Sequence, residues 1–256
     1  MTAPLLSIEK LSKRFGGVAA VADVSIDVMP GTIASMIGPN GAGKTTLFNM
    51  ICRLYQADSG ALRFDGRDLL KLKAHDLAAC GIGRTFQNLA LFRNGTVIEN
   101  LLVGLHAHLR AGVIDGAFYF GRVAAEERRA RERVEEIIEF LEIEEIRTQQ
   151  VATLSYGLQK RVELGRALAV KPKLLLLDEM VSGMNQEETE DIARFILDLR
   201  DELGITVLMI EHDMDVVMDI SDRVHVLNFG HCISSGTPAE VSVDPHVIEA
   251  YLGVSA

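Results

Sequence analysis

The chain has 256 residues, of which 48% are apolar and 24% charged, and a formal net charge of -10. That length and composition can bury a large core and exclude a disordered segment or a lone binding peptide. The negative balance argues against a protein whose main task is gripping the phosphate backbone of nucleic acid, which demands a basic face.

Residues 5–11 and 18–28 read as strands of a hairpin joined through Gly16-Gly17. The opening stretch has no basic start followed by a long apolar core, and no apolar run in the chain is long enough to cross a bilayer. A cytoplasmic location is expected, with any membrane role exerted through a partner. Residues 32–37 form a buried strand, residues 45–54 carry helical apolar spacing, and residues 61–64 form a further short strand.

Between that strand and that helix lies Gly38-Pro39-Asn40-Gly41-Ala42-Gly43-Lys44-Thr45-Thr46, a complete G-x-x-x-x-G-K-[ST] loop. Glycines let the backbone turn tightly and aim successive N–H groups at anionic oxygens, and the helix start adds its positive end. Lys44 reaches the β- and γ-phosphates of a nucleotide in such a loop, and the Thr45 hydroxyl holds Mg²⁺.

From about residue 87 to 151 the character is helical. Residues 97–110 form a helix, 111–121 a glycine-containing connection, and 123–141 a long charged helix with Val134, Ile137, Ile138 and Leu141 on one face. Its charges read as a solvated surface. His106 and His108, two apart on a helix, point to different sides and suggest no metal. Cys52, Cys80 and Cys232 are odd in number, far apart and without metal-ligand spacing, which points to a reduced compartment and no cysteine chemistry.

Ser155 and Gly157 precede a further helix, where a hydroxyl and a bare backbone suit an anion; taken alone, Ser155 reads first as a helix N-cap. Residues 174–177 are four leucines followed by Asp178 and Glu179, an apolar strand that sets two carboxylates at the edge where open α/β sheets hold ligands. An acid there holds Mg²⁺, and a following glutamate can polarise an attacking water. A helix over 186–203 stopped by Gly204, then strands at 205–210 and 223–227, complete an alternating α/β order with a parallel sheet.

Taken together and in this order, these motifs resemble the ATP-binding subunits of ABC transporters along nearly the whole chain. Phe15 of Lys13-Arg14-Phe15 is similar to the ring that stacks on adenine. Gln87 of Thr85-Phe86-Gln87 is similar to the glutamine that contacts Mg²⁺ and water and senses the membrane partner. Leu154-Ser155-Tyr156-Gly157 resembles the family signature, and His212 of Glu211-His212-Asp213 the switch histidine.

The resemblance implies an α/β P-loop NTPase core with a parallel sheet, an N-terminal antiparallel β-subdomain and a helical subdomain. Residues 1–256 then form one ATPase domain, with 1–86 and 152–256 as β-subdomain and core and about 87–151 as the helical part. It also implies ATP and Mg²⁺ as ligands. Lys44, Gln87, Glu179 and His212 take catalytic parts, and Thr45, Gln87 and Asp178 attend the metal. Two subunits, alike or different, pair head to tail with two ATPs at the seam, Ser155 and Gly157 of one completing the site of the other. Transmembrane permease subunits and, indirectly, an external solute-binding protein are the remaining implied partners.

Tyr156 and Leu158 stand where the family has glycine and glutamine, Met180 where proline is common, and Asn185 where aspartate is frequent. Those departures bear on coupling across the seam and leave the hydrolytic residues in place. The helical insert, the run Glu211-His212-Asp213-Met214-Asp215-Val216-Val217-Met218 and the ending Val247-Ile248-Glu249-Ala250-Tyr251-Leu252-Gly253 resemble the ATPases of branched-chain amino-acid importers. The runner-up is the related ATPase of lipopolysaccharide extraction. A soluble ABC ATPase of translation or DNA is disfavoured by a single phosphate loop and no heptads, and a kinase by the lack of a lid and acceptor pocket.

Overall fold

A computed structural model describes residues 3–85, 91–105 and 120–252. The chain forms two units, Met1–Leu77 with Leu176–Ala256, and Ala78–Leu175. In chain order the elements begin with β1 (Leu6–Phe15), β2 (Val18–Val28), β3 (Ile33–Ile37), α1 (Lys44–Ile51), β4 (Ser59–Phe64) and β5 (Arg67–Asp68). There follow α2 (Leu77–Cys80), β6 (Ile82–Arg84), α3 (Val97–Leu105), α4 (Phe120–Phe140), α5 (Tyr156–Leu168) and β7 (Leu174–Asp178). The remainder is α6 (Gln186–Asp201), β8 (Thr206–Ile210), α7 (Met214–Ile220), β9 (Arg223–Asn228), β10 (His231–Gly236), α8 (Pro238–Ser242) and α9 (Pro245–Leu252).

The first unit holds two sheets. The antiparallel one has the order β2-β1-β4-β5, and the other runs β10-β9-β3-β8-β7, with β3 parallel to both β8 and β9. Every residue of β3, β7 and β8 is buried. That is why these strands read as unbroken apolar runs: a parallel strand is covered on both faces. Full burial of each leucine, isoleucine or methionine side chain there contributes about 1.5–3 kcal/mol. The arrangement brings the C-terminal ends of β3, β7 and β8 to one edge.

Several boundaries differ from the sequence reading. β1 continues to Phe15 because its pairing with β2 persists to Phe15↔Val18 across a tight turn. α1 stops at Ile51 rather than 54; Arg53 takes φ +58, and Asn49 O accepts from Leu54 and Tyr55 N–H. α6 ends at Asp201, where Gly204 at φ +63 donates to Arg200 O. β10 has no signal in the sequence because its polar, small residues show no alternation; its pairing with β9 makes it a strand.

In the second unit Val134, Ile137, Ile138 and Leu141 are all buried, as their shared face requires. α4 starts at Phe120 and includes Gly121, which the sequence assigned to the connection. The rest of that connection, residues 111–119, and residues 106–110 with His106 and His108, expected from the sequence to continue the helix, lie outside the described residues. β6 abuts the entry to β7, where Lys173 and Leu174 N–H both donate to Gly81 O.

Candidate active site

The glycine loop leaves the end of β3 and turns into α1. Gly38 has φ +147, and a Cβ there would lie 2.0 Å from Leu227 O; Gly43 has φ +103, and a Cβ would lie 2.3 Å from Ala20 O. No side chain fits at either place, so the loop sits against β9 and β2 through its bare backbone. Ala42 N–H closes the turn onto Pro39 O at 3.1 Å, and Gly230 N–H holds Ala42 O at 2.9 Å.

Lys44 is 5% exposed, and its Nζ donates to Gly38 O at 2.6 Å and Pro39 O at 3.1 Å. Burial pulls its pKa below the usual lysine value, and the Glu179 carboxylate nearby pulls it back up. Thr45 and Asn40 are exposed and Thr46 half-buried. No side chain caps α1 and no acid stands in its first turn, so its leading N–H groups and dipole are available to an anion. A cradle of this kind fits a nucleotide triphosphate. A threonine hydroxyl and a carboxylate such as Asp178 form the oxygen donor set that Mg²⁺ takes alongside phosphate oxygens.

Asp178 ends β7 at 2% exposed. Glu179 then adopts φ +51, a left-handed conformation uncommon for a side-chain-bearing residue, and its N–H is anchored on Ile210 O at 2.9 Å. That turn presents its Oε1 to His212 Nε2 at 3.0 Å. His212 lies just past β8, after Glu211, and Asp213 caps α7 by accepting from Asp215 and Val216 N–H. A carboxylate held by an imidazole at an open edge, with a cationic ammonium near enough to feel its charge, can orient a water and take its proton.

Phe15 at the end of β1 is 45% exposed; Tyr55 meets its ring edge-on, with centroids 5.2 Å apart, and Lys13 Nζ lies 5.5 Å from its centre. The Lys13–Asp58 bridge at 2.7 Å steadies this corner. In the second unit Ser155 is exposed and caps α5, accepting from Leu158 N–H at 3.3 Å, with Gly157 buried in the first turn. Gln87, with Phe86, lies outside the described residues.

Asn185, read as a departure bearing on coupling, has a local role: it caps α6 in a reciprocal box with Glu188, which asparagine and aspartate serve equally well. Two residues near the site escaped the sequence reading. Glu211 is 2% exposed, and Tyr251 of α9 carries a hydroxyl that Gly38 N–H faces. A glutamate leaving a strand reads as a solvated end, and nothing local signals its burial.

The glycine loop, the buried Asp178 and the Glu179–His212 pair on this sheet define a P-loop nucleotide triphosphatase of α/β architecture. The chain belongs to the ABC transporter family, whose model matches residues 21–182, and residues 231–256 match the model described as branched-chain amino acid ATP-binding cassette transporter. It is accordingly an ATPase subunit. It is 43% identical to the high-affinity branched-chain amino acid transport ATP-binding protein BraF of Pseudomonas aeruginosa, with 99% of each chain covered. It is 41% identical to LivG, the corresponding protein of Escherichia coli K12, again over 99% of each. The ADP conformation of an ATP-binding cassette of an ABC transporter superposes with a TM-score of 0.86 at 35% identity, covering 99% of this chain and 100% of that one.

Proposed function

We propose that this subunit hydrolyses ATP to drive an importer of branched-chain or other hydrophobic amino acids or related amides. It acts as one ATPase domain in which residues 87–151 form the helical part. The observation that carries the hydrolytic reading is the 3.0 Å pairing of Glu179 with His212, with Lys44 near enough to sense the Glu179 charge. The residues from Gly38 to Thr46 bind the phosphates, and Phe15 stacks on adenine. Thr45, Asp178 and Gln87 attend Mg²⁺, which when bound neutralises charge on the β- and γ-phosphate oxygens.

Glu179 orients the attacking water and takes its proton, and His212 holds that carboxylate in place. Ser155 and Gly157 of a second subunit, identical or related, complete the site, so ATP favours the closed pair and phosphate release reopens it. The Gln87 region passes the motion to transmembrane permease subunits, placing the chain peripherally on the inner face of the membrane. No helix among the described residues is long and apolar enough to cross it. A solute-binding protein outside selects the cargo.

The amino-acid assignment is supported by the names and coverage of the two relatives and by the match at residues 231–256. Co-purification from membranes with identification of the bound subunits tests it, followed by ATPase assay with candidate binding protein. Stimulation by leucine, isoleucine or valine supports import. Association with a lipid-bridge assembly of the envelope, with no response to amino acids, overturns it in favour of lipopolysaccharide extraction.

A further inference from the structure

The carboxylate of Glu211 lies between the two chain segments that carry Glu179 and His212. It is 2% exposed, and its Oε1 accepts from Val181 N–H at 3.2 Å. The backbone N–H groups of Met180 and His212 bear on the same carboxylate. Met180 and Val181 are the two residues that follow Glu179, and His212 is the residue that follows Glu211. One side chain therefore joins the turn after β7 to the turn after β8, and the donors it gathers flank both members of the pair.

Two features make this clasp consequential. Glu179 sits at φ +51, a conformation that costs a non-glycine residue energy and persists only where its surroundings hold it. The hydrogen bond from Glu179 N–H to Ile210 O fixes the turn from one side, and Glu211 fixes it from the other through the next two N–H groups. A buried carboxylate also carries a cost of its own: desolvation and the neighbouring Glu179 charge push its pKa up to about 7.

We propose that Glu211 is a positioning residue for hydrolysis, clasping the backbone after Glu179 to the backbone of His212 so that their side chains meet at hydrogen-bonding distance. This rests on Glu179 and His212 serving as the water-handling pair. Its contribution falls on the chemical step, because its partners lie after Glu179 and at His212, while the phosphate loop is held by its own contacts with β2 and β9.

The test is steady-state ATP hydrolysis by Glu211→Ala, Glu211→Gln and Glu211→Asp, beside Glu179→Gln and nucleotide titrations of each. Glu211→Ala is expected to lower kcat by about tenfold or more, as displacement of a catalytic group by an ångström does, with KM for ATP and nucleotide affinity within about twofold of wild type. Glu211→Gln keeps one acceptor oxygen for Val181 N–H and is expected to recover most of the turnover. Should the alanine variant not fold, Glu211→Asp takes its place: the charge stays, the reach shortens by one methylene, and kcat falls while KM holds.

Wild-type kcat in the alanine or aspartate variant overturns the proposal, as does a kcat loss matched by an equal loss of nucleotide affinity. Either result, with Glu179→Gln inactive, leaves the hydrolytic pair standing and removes only Glu211. Full turnover in Glu179→Gln instead removes the pair itself.

Discussion

His212 Nε2 meets Glu179 Oε1 at 3.0 Å, although 33 residues separate them in sequence. The contact exists because β7 and β8 are neighbours in the sheet and end at the same edge, the apolar run of each followed by two polar residues, of which the second, Glu179 or His212, enters the pair. The imidazole fixes the direction of a carboxylate whose backbone is already held in a left-handed turn.

Glu179→Gln keeps the size and the hydrogen-bonding shape but cannot take a proton. Its turnover should fall by about 10²–10⁴-fold, while ATP affinity stays within a few-fold and a closed dimer accumulates on ATP addition. Size-exclusion chromatography with light scattering, run beside a phosphate-release assay, checks both. Undiminished turnover would take Glu179 out of the mechanism.

The proposed sharing of each nucleotide between two subunits gives a complementation test. Lys44→Ala should abolish binding to the phosphate loop it belongs to, and Ser155→Ala should disable the facing loop. Mixed dimers of the two variants then retain one intact site and trap about one nucleotide per dimer, whereas each variant alone traps almost none. No trapping by the mixture would show that Ser155 serves its own chain's loop. Independently of this, Ser155→Ala loses the cap of α5 and should cost about 1 kcal/mol of stability.

Gly43→Ala places a Cβ 2.3 Å from Ala20 O at φ +103. Relief requires the loop to move off β2, so stability should drop by about 1–3 kcal/mol and nucleotide affinity with it. Thermal melts with and without ATP read the two effects: the variant should melt lower, and ATP should no longer raise its midpoint. An unchanged ligand-induced shift contradicts the description of the loop.

His225 is 2% exposed; burial, aided by Arg223 and opposed by Asp27, pulls its pKa down to about 4 from 6.5. The folded state thus resists a proton that the unfolded chain accepts, so this contribution is intact above pH 6.5 and is lost as pH falls toward 4. The loss reaches about 3 kcal/mol at its limit. Denaturant unfolding of wild type and His225→Gln across pH 4–8 isolates it: the wild-type curve should fall relative to the variant between pH 6.5 and 4. Parallel curves would mean that His225 protonates freely in the fold.

The phosphate loop, Asp178 and the α/β order could be read from the chain alone because each is a local necessity. Gly38 and Gly43 occupy positions where a Cβ would collide with backbone, and Leu174 to Leu177 are apolar because both faces of β7 are covered. Boundaries and weak strands were less legible. β10 carries no period of its own and is a strand because β9 offers it a ladder, and α1 ends early because the chain turns left-handed at Arg53.

Local chemistry therefore specified the glycine loop, the leucine strand and the helix start, since tight turns, buried strands and helix starts each demand particular side chains within a few positions. The pairing of Glu179 with His212, the burial of Glu211 behind them and the approach of Tyr251 to Gly38 came from folding in three dimensions. Each depends on segments far apart in sequence becoming neighbours. A glutamate after a strand is the same letter whether water or three backbone amides surround it, and only the packing of β7 beside β8 selects the second.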